Sequence, residues 1–121
     1  MEDDVDGVRA TLNRAEQKNE EFGDLLKKLT YASSESKKLW KEIYENAIDD
    51  RTNAYLLYAD LYRCVTNNEK GHVDHGKLMT MYLERMGKAN DQLLKLAEII
   101  ENAHTEDEKV DAGALYDEIS K

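Results

Sequence analysis

The residues of this chain best suited to chemistry lie in one short stretch. His72, Asp74 and His75 place two imidazoles one helical turn apart, a spacing that suits metal ligands. Glu69-Lys70-Gly71-His72 also has the Glu-x-x-His spacing of di-iron helical bundles. Such a centre needs a second copy of the motif and two more carboxylates, whereas the sole cysteine, Cys64, and His104 lie far away in sequence. The stretch therefore reads as a polar cap at a helix start, and no metal and no cofactor is expected. No Gly-rich phosphate loop, Gly-x-Ser-x-Gly elbow or Cys–His pairing occurs, so no catalytic residue is assigned and the chain is not expected to be an enzyme. Trp40, Tyr44, Tyr55, Tyr58 and Tyr62 could stack on bases, but their helical spacing marks them as core or interface. Lys37, Lys38 and Lys41 form the densest basic cluster, with Lys27 and Lys28 next; summed over many copies they are the candidate DNA contacts.

These residues must be positioned by a small chain of 121 residues. Charged residues are 36% and hydrophobic residues 40%, there is no proline, and glycines number only 6. That mix suits long charged helices and argues against a turn-rich β-sandwich or barrel. A folded chain of this size buries only about two thirds of its unfolded surface, which makes self-assembly a natural source of stability. The net charge is −9, and residues 104–121 are the most acidic for their length, with six acids against two bases. Without a basic stripe the chain is not an obvious stand-alone nucleic-acid binder. One cysteine excludes an intramolecular disulfide and fits a reducing compartment. No apolar run approaches the ~18 residues of a membrane span, and no signal peptide is evident, so an intracellular protein is expected.

Periodicity supplies the elements. Val5, Val8, Leu12, Ala15, Asn19, Phe22, Leu26 and Leu29 alternate steps of three and four, a heptad seam with one polar position, Asn19. This predicts an N-terminal amphipathic helix over 1–30, weakened by Gly7 and Gly23. Ser33 or Ser34 can cap a new helix, with Glu35 suited to the positive end of its dipole. A second seam runs through Trp40, Tyr44, Ala47, Arg51, Ala54, Tyr58, Leu61 and Val65, and ends at a polar run closing on Gly71. The third comprises Met79, Leu83, Met86, Asn90, Leu93, Ala97 and Ile100.

Folding the second and third seams together about residue 70 pairs Leu61 with Met79, Tyr58 with Leu83, Ala54 with Met86, Ala47 with Leu93, Tyr44 with Ala97 and Trp40 with Ile100. Arg51 then meets Asn90, and the two off-pattern residues share one layer. A single polar layer costs stability and fixes register. The expectation is an all-α fold: a long antiparallel, coiled-coil-like hairpin over 31–103, an additional N-terminal helix, and a flexible acidic tail over 104–121.

The apolar surface is too wide for a two-helix seam. Ile43, Leu57 and Cys64 flank the second seam on one side and Ile48, Tyr55 and Tyr62 on the other, while Tyr82, Ala89, Leu96 and Ala103 flank the third. Ile48, Tyr55, Tyr62, Tyr82 and Leu96 are accordingly the expected oligomer interface. In the tail, Leu115, Tyr116 and Ile119 would share a helical face, either folded back on the body or docked on a partner protein.

Two segments carry a family resemblance. Gly76-Lys77-Leu78-Met79-Thr80 through Asn90-Asp91-Gln92-Leu93-Leu94-Lys95-Leu96 resembles the second central helix of the small terminase subunits of T-even-type tailed phages, and Gly113-Ala114-Leu115-Tyr116-Asp117-Glu118-Ile119 is similar to a Leu-x-Asp-Glu-Ile segment near that family's C-terminus. The resemblance spans roughly 40–103 and the last few residues. It implies a non-enzymatic subunit whose helical hairpins assemble into a ring, which engages viral double-stranded DNA and regulates the ATPase and nuclease of the large terminase subunit during packaging, in the cytoplasm of an infected bacterium. Thirty residues with one seam cannot hold the N-terminal helix-turn-helix of many other small terminases. The alternative from the residues alone is a helical adaptor, an assembly factor or transcription co-regulator, docking through its C-terminal peptide.

Overall fold

The computed structural model describes the backbone of residues 2–66 and 71–119, and side chains within 5–66 and 75–105. Three helices make up nearly all of it: α1 (Glu2–Lys28), α2 (Ser34–Thr66) and α3 (Gly71–Ile119), with no strand among the described residues. The chain is all-α.

Local chemistry sets the helix ends. α1 stops where Leu29 N–H donates to the Leu26 carbonyl at 3.1 Å, with Lys27 and Lys28 in its last turn against the negative end of the dipole. Ser33 is the cap of α2. Its Oγ accepts from the Ser36 amide at 3.1 Å and its carbonyl accepts from the Lys37 amide at 3.0 Å, while Glu35 occupies the first turn. The expected turn at residues 67–70 lies outside the described residues. α3 does not end at His104, where a flexible tail was expected; it continues as helix to Ile119. Residues 104–119 hold no proline and a single glycine, Gly113, so no strong helix breaker terminates the helix there.

α2 lies between the others and packs against both α1 and α3. Large side chains gather at one end, where Leu26, Trp40 and Leu96 are buried and Phe22, Leu29, Ile43, Tyr44, Ile100 and Ala103 pack around them. Phe22 and Tyr44 stack with ring centroids 4.0 Å apart and planes within 10°. Elsewhere the buried residues are mostly small: Ala15, Ala47, Ala54 and Ala89, with Ile48 and Val65. Alanine at these positions lets helix backbones approach closely but removes little apolar area from water.

The buried face of α3 corrects the expected seam. Leu83, Asn90 and Ala97 are exposed, and Ala89 and Leu96 take the inner positions, Leu96 at 2% exposure against 50% for Leu83. Two neighbouring stripes of α3 share Met79, Met86, Leu93 and Ile100 and both satisfy a three-four alternation. The stripe that brings Leu96 onto Trp40 and Leu26 buries more apolar surface, and it is the one used. The same rotation removes Leu96 from the expected oligomer interface. Ile48 is removed as well: its own chain leaves it 1% exposed, beside Ala15 of α1. Tyr55 and Tyr62 remain half-exposed and Tyr82 partly so.

Candidate interaction surfaces

Two grooves run along α1, one on each side, and their electrostatics differ. The first lies between α1 and the start of α2. Lys37, Lys38 and Lys41 of α2 line it, facing Glu16, Glu20 and Asp24 of α1, with Glu45 beyond. Lys41 Nζ is 3.9 Å from Glu45 Oε1 along the helix. The three lysines singled out as DNA contacts therefore share their groove with four carboxylates, which cancel most of the attraction for a phosphate chain. Asn19 borders the same groove, and its Oδ1 is buried without a hydrogen-bond donor among the described residues.

The second groove has α2 as its floor. Thr11, Arg14, Ala15 and Lys18 of α1 form one wall, Ile48, Arg51, Thr52 and Tyr55 of α2 the floor, and Met86 of α3 the other side. Its lining carries three cations and no carboxylate. Neither Arg14 nor Lys18 makes an ion pair among the described residues. Arg51 is held by Asn90: Nη1 donates to Oδ1 at 2.8 Å, joining α2 to α3 at the layer where the two off-pattern residues meet. Both residues keep access to solvent, so the guanidinium retains donors that point toward the groove side of α2.

Tyr44 packs against the Trp40 cluster, stacked on Phe22. Burial raises its phenol above the ordinary value; Arg51 pulls it partly back and Glu21 adds to the rise. Tyr31, edge-on to His104 with centroids 4.7 Å apart, is likewise raised by burial and by Glu101. Both hydroxyls hold their protons through neutral pH and serve as packing groups with polar tips.

The remaining candidates separate cleanly by place. His75 is exposed, the side chains of His72 and Asp74 lie outside the described residues, and no group of three or more His, Cys, Asp or Glu among the described residues could hold a metal ion. Trp40 is buried, and Tyr44, Arg51, Tyr58, Leu61, Met79, Met86, Leu93 and Ile100 of the expected seam are partly buried. The side chains of Leu115, Tyr116 and Ile119 lie outside the described residues, on the last turns of α3. No described helix is long and apolar enough to cross a membrane.

What sequence reading missed was the second groove. Arg14 and Lys18 are four apart on α1 and flank Ala15, a signal that they share a face. Which face of α2 they would meet depended on how α1 docks. Large apolar side chains also stay exposed on the outer flanks: Leu39 and Leu57 on α2, and Met81, Leu83 and Leu94 on α3, Leu94 at 69%. Comparisons of the chain with protein-family models, with curated proteins and with solved structures found no match.

Proposed function

We propose that this chain is a non-enzymatic small terminase subunit: it assembles into a ring through a central antiparallel hairpin of α2 and α3, engages viral DNA, and regulates the large subunit's ATPase and nuclease during genome packaging. The observation that carries the reading is the run of half-exposed apolar side chains on opposite flanks of a rod-like helical body, Leu39 and Leu57 on one helix and Leu83 and Leu94 on the other. Two such flanks invite side-by-side packing of copies, since patches of this kind on a monomer are an aggregation liability. The Arg51–Asn90 hydrogen bond and the Trp40–Leu96–Ile100 cluster support the antiparallel pairing.

In this reading the C-terminal turns with Leu115, Tyr116 and Ile119 engage the large subunit, and DNA is held by weak contacts repeated around the ring. With carboxylates facing Lys37, Lys38 and Lys41, each copy contributes little, and binding falls steeply with salt. Native mass spectrometry over a range of concentrations tests the core of the proposal. A discrete closed assembly of about eight or more copies, which stimulates the ATPase of a large terminase subunit, is the expected result. A monomer or dimer at every concentration overturns the ring, and deletion of residues 104–121 that abolishes partner binding without any DNA effect points to a helical adaptor.

A further inference from the structure

α1 and α3 both lie on α2, yet their backbones do not approach each other within the described residues. Between them runs the groove of Arg14, Lys18, Arg51, Tyr55 and Met86. Three helices around a groove leave one position of a four-helix bundle vacant, and a helix laid there would touch all three. Tyr55 on its floor is half-exposed. Leu83 and Leu94 belong to the flank of α3 that carries Asn90, by their spacing of seven and four residues, and Asn90 is the partner of Arg51. An occupant that suits three cations beside the half-exposed Tyr55 is a helix with a carboxylate at their level and an apolar side chain next to it.

The outer side of α2 is such a helix. Leu39, Ile43, Asn46, Asp50, Asn53, Leu57, Asp60 and Cys64 recur in steps of four and three, a second heptad stripe on the flank turned away from Tyr55. Of these, Ile43 packs inward on the Trp40 cluster, and Asn53 and Asp60 border α1. Leu39 and Leu57 are half-exposed, Asp50, Asp60 and Cys64 are exposed, and the stripe holds two carboxylates and no cation. Its centre, Asp50, lies at the same level of α2 as the groove floor, Ile48 to Tyr55.

We propose that the outer stripe of α2 in one copy fills the groove of a second copy, with Leu57 against Tyr55 and Asp50 facing Arg14, Lys18 and Arg51. The proposal rests on the ring reading and names the surfaces that would build the ring. Stripe and groove lie on different flanks of α2, so each copy presents both halves of the contact and the interaction runs head to tail, as closed rings require. Because the two surfaces share one level along the rod, successive copies stay in register instead of climbing. Complementary charge across the contact also disfavours pairing groove to groove or stripe to stripe.

Charge swapping tests this on the full chain, read by native mass spectrometry with circular dichroism as the control for folding. Arg14→Glu with Lys18→Glu, both exposed positions, is expected to raise the concentration needed for assembly about tenfold or more, with helicity unchanged. Adding Asp50→Lys to the same chain restores complementarity and should recover most of the loss. A second probe is geometric. Tyr55→Cys with Leu57→Cys in a Cys64→Ala background places two thiols on opposite flanks of one helix, too far round to join within a chain. Oxidation should then yield a ladder of linked copies on a non-reducing gel. Assembly that ignores the reversal, a reversal that Asp50→Lys fails to repair, or thiols that stay monomeric while the wild-type ring is intact each overturn this interface and leave the ring reading standing. Loss of short-duplex DNA binding in the reversal variant with the assembly unchanged would assign the groove to nucleic acid instead. A wild-type chain that is monomeric throughout overturns the ring reading itself.

Discussion

The two ends of this helical body are built from different material. Around Trp40, one end packs Phe22, Leu26, Leu29, Tyr44, Leu96 and Ile100 into an aromatic and aliphatic cluster. Toward the other end, Ala54, Ala89 and Val65 are buried, while Val5, Leu12, Tyr62 and Leu83 stand half-exposed. The first end removes much apolar area from water within a single chain. The second buries mainly small side chains and leaves several large ones half-exposed. Leu25, Leu39, Leu94 and Ile99 are exposed at the Trp40 end too, so the division along the rod is one of what each end buries, large side chains at one and mostly small ones at the other.

The largest test of this division is a pair of leucine truncations on one helix. Leu96→Ala should cost about 2–5 kcal/mol in denaturant unfolding, because the cavity opens in the closed cluster. Leu83→Ala should cost the isolated chain about 0.5 kcal/mol or less, since half of that side chain is already in solvent, but it should weaken assembly. Equal costs at the two sites would erase the contrast.

A smaller effect is expected on α1, where Asn19 places an unpaired, buried Oδ1 between the two regions. Asn19→Leu removes that desolvated acceptor and should raise stability by about 1–3 kcal/mol, measured as an increase in Tm and in denaturant midpoint. A decrease would show that Asn19 finds a hydrogen-bond partner in solution. The polar layer midway along the rod makes the complementary case. Replacing Arg51 and Asn90 together with leucine should change stability by about 1 kcal/mol or less, because Asn90 is exposed. It should weaken assembly and broaden the distribution of subunit numbers, because the hydrogen bond that pins α2 against α3 and a cation of the groove are gone. At the Trp40 end, Ser33→Ala should cost about 1 kcal/mol through loss of the α2 cap, seen as a lower Tm with little change in assembly.

The helices themselves were legible from the spacing of apolar residues, since 3.6-residue periodicity, a serine cap and the absence of proline all point the same way. The coincidence of Arg51 with Asn90 was legible too, as two polar interruptions at matching positions. The phase of α3 was not. Met79, Met86, Leu93 and Ile100 belong to both candidate stripes, and only the burial gained when Leu96 reaches Trp40 decides between them. The groove was hidden for a related reason: Arg14 and Lys18 become a site only when α1 docks beside Arg51, and residues from three helices have no spacing in common along the chain. The lysines at 37, 38 and 41 looked basic because sequence neighbours were counted, whereas in the fold their neighbours are Glu16, Glu20 and Asp24.

The sparsely packed end can also be strengthened without adding a contact, which separates helix propensity from packing there. Gly7 lies in the first turns of α1, and a Cβ at that position meets nothing within 4 Å. Gly7→Ala should therefore gain about 0.5–1 kcal/mol of helix propensity with no steric penalty. The gain belongs to the N-terminal turns of α1, so slowed amide exchange in residues 5–12 is the sensitive readout and the global Tm should move little. If the whole chain instead melted later by the full amount, α1 would unfold together with the Trp40 cluster as one cooperative unit, and the difference between the two ends would be one of composition alone.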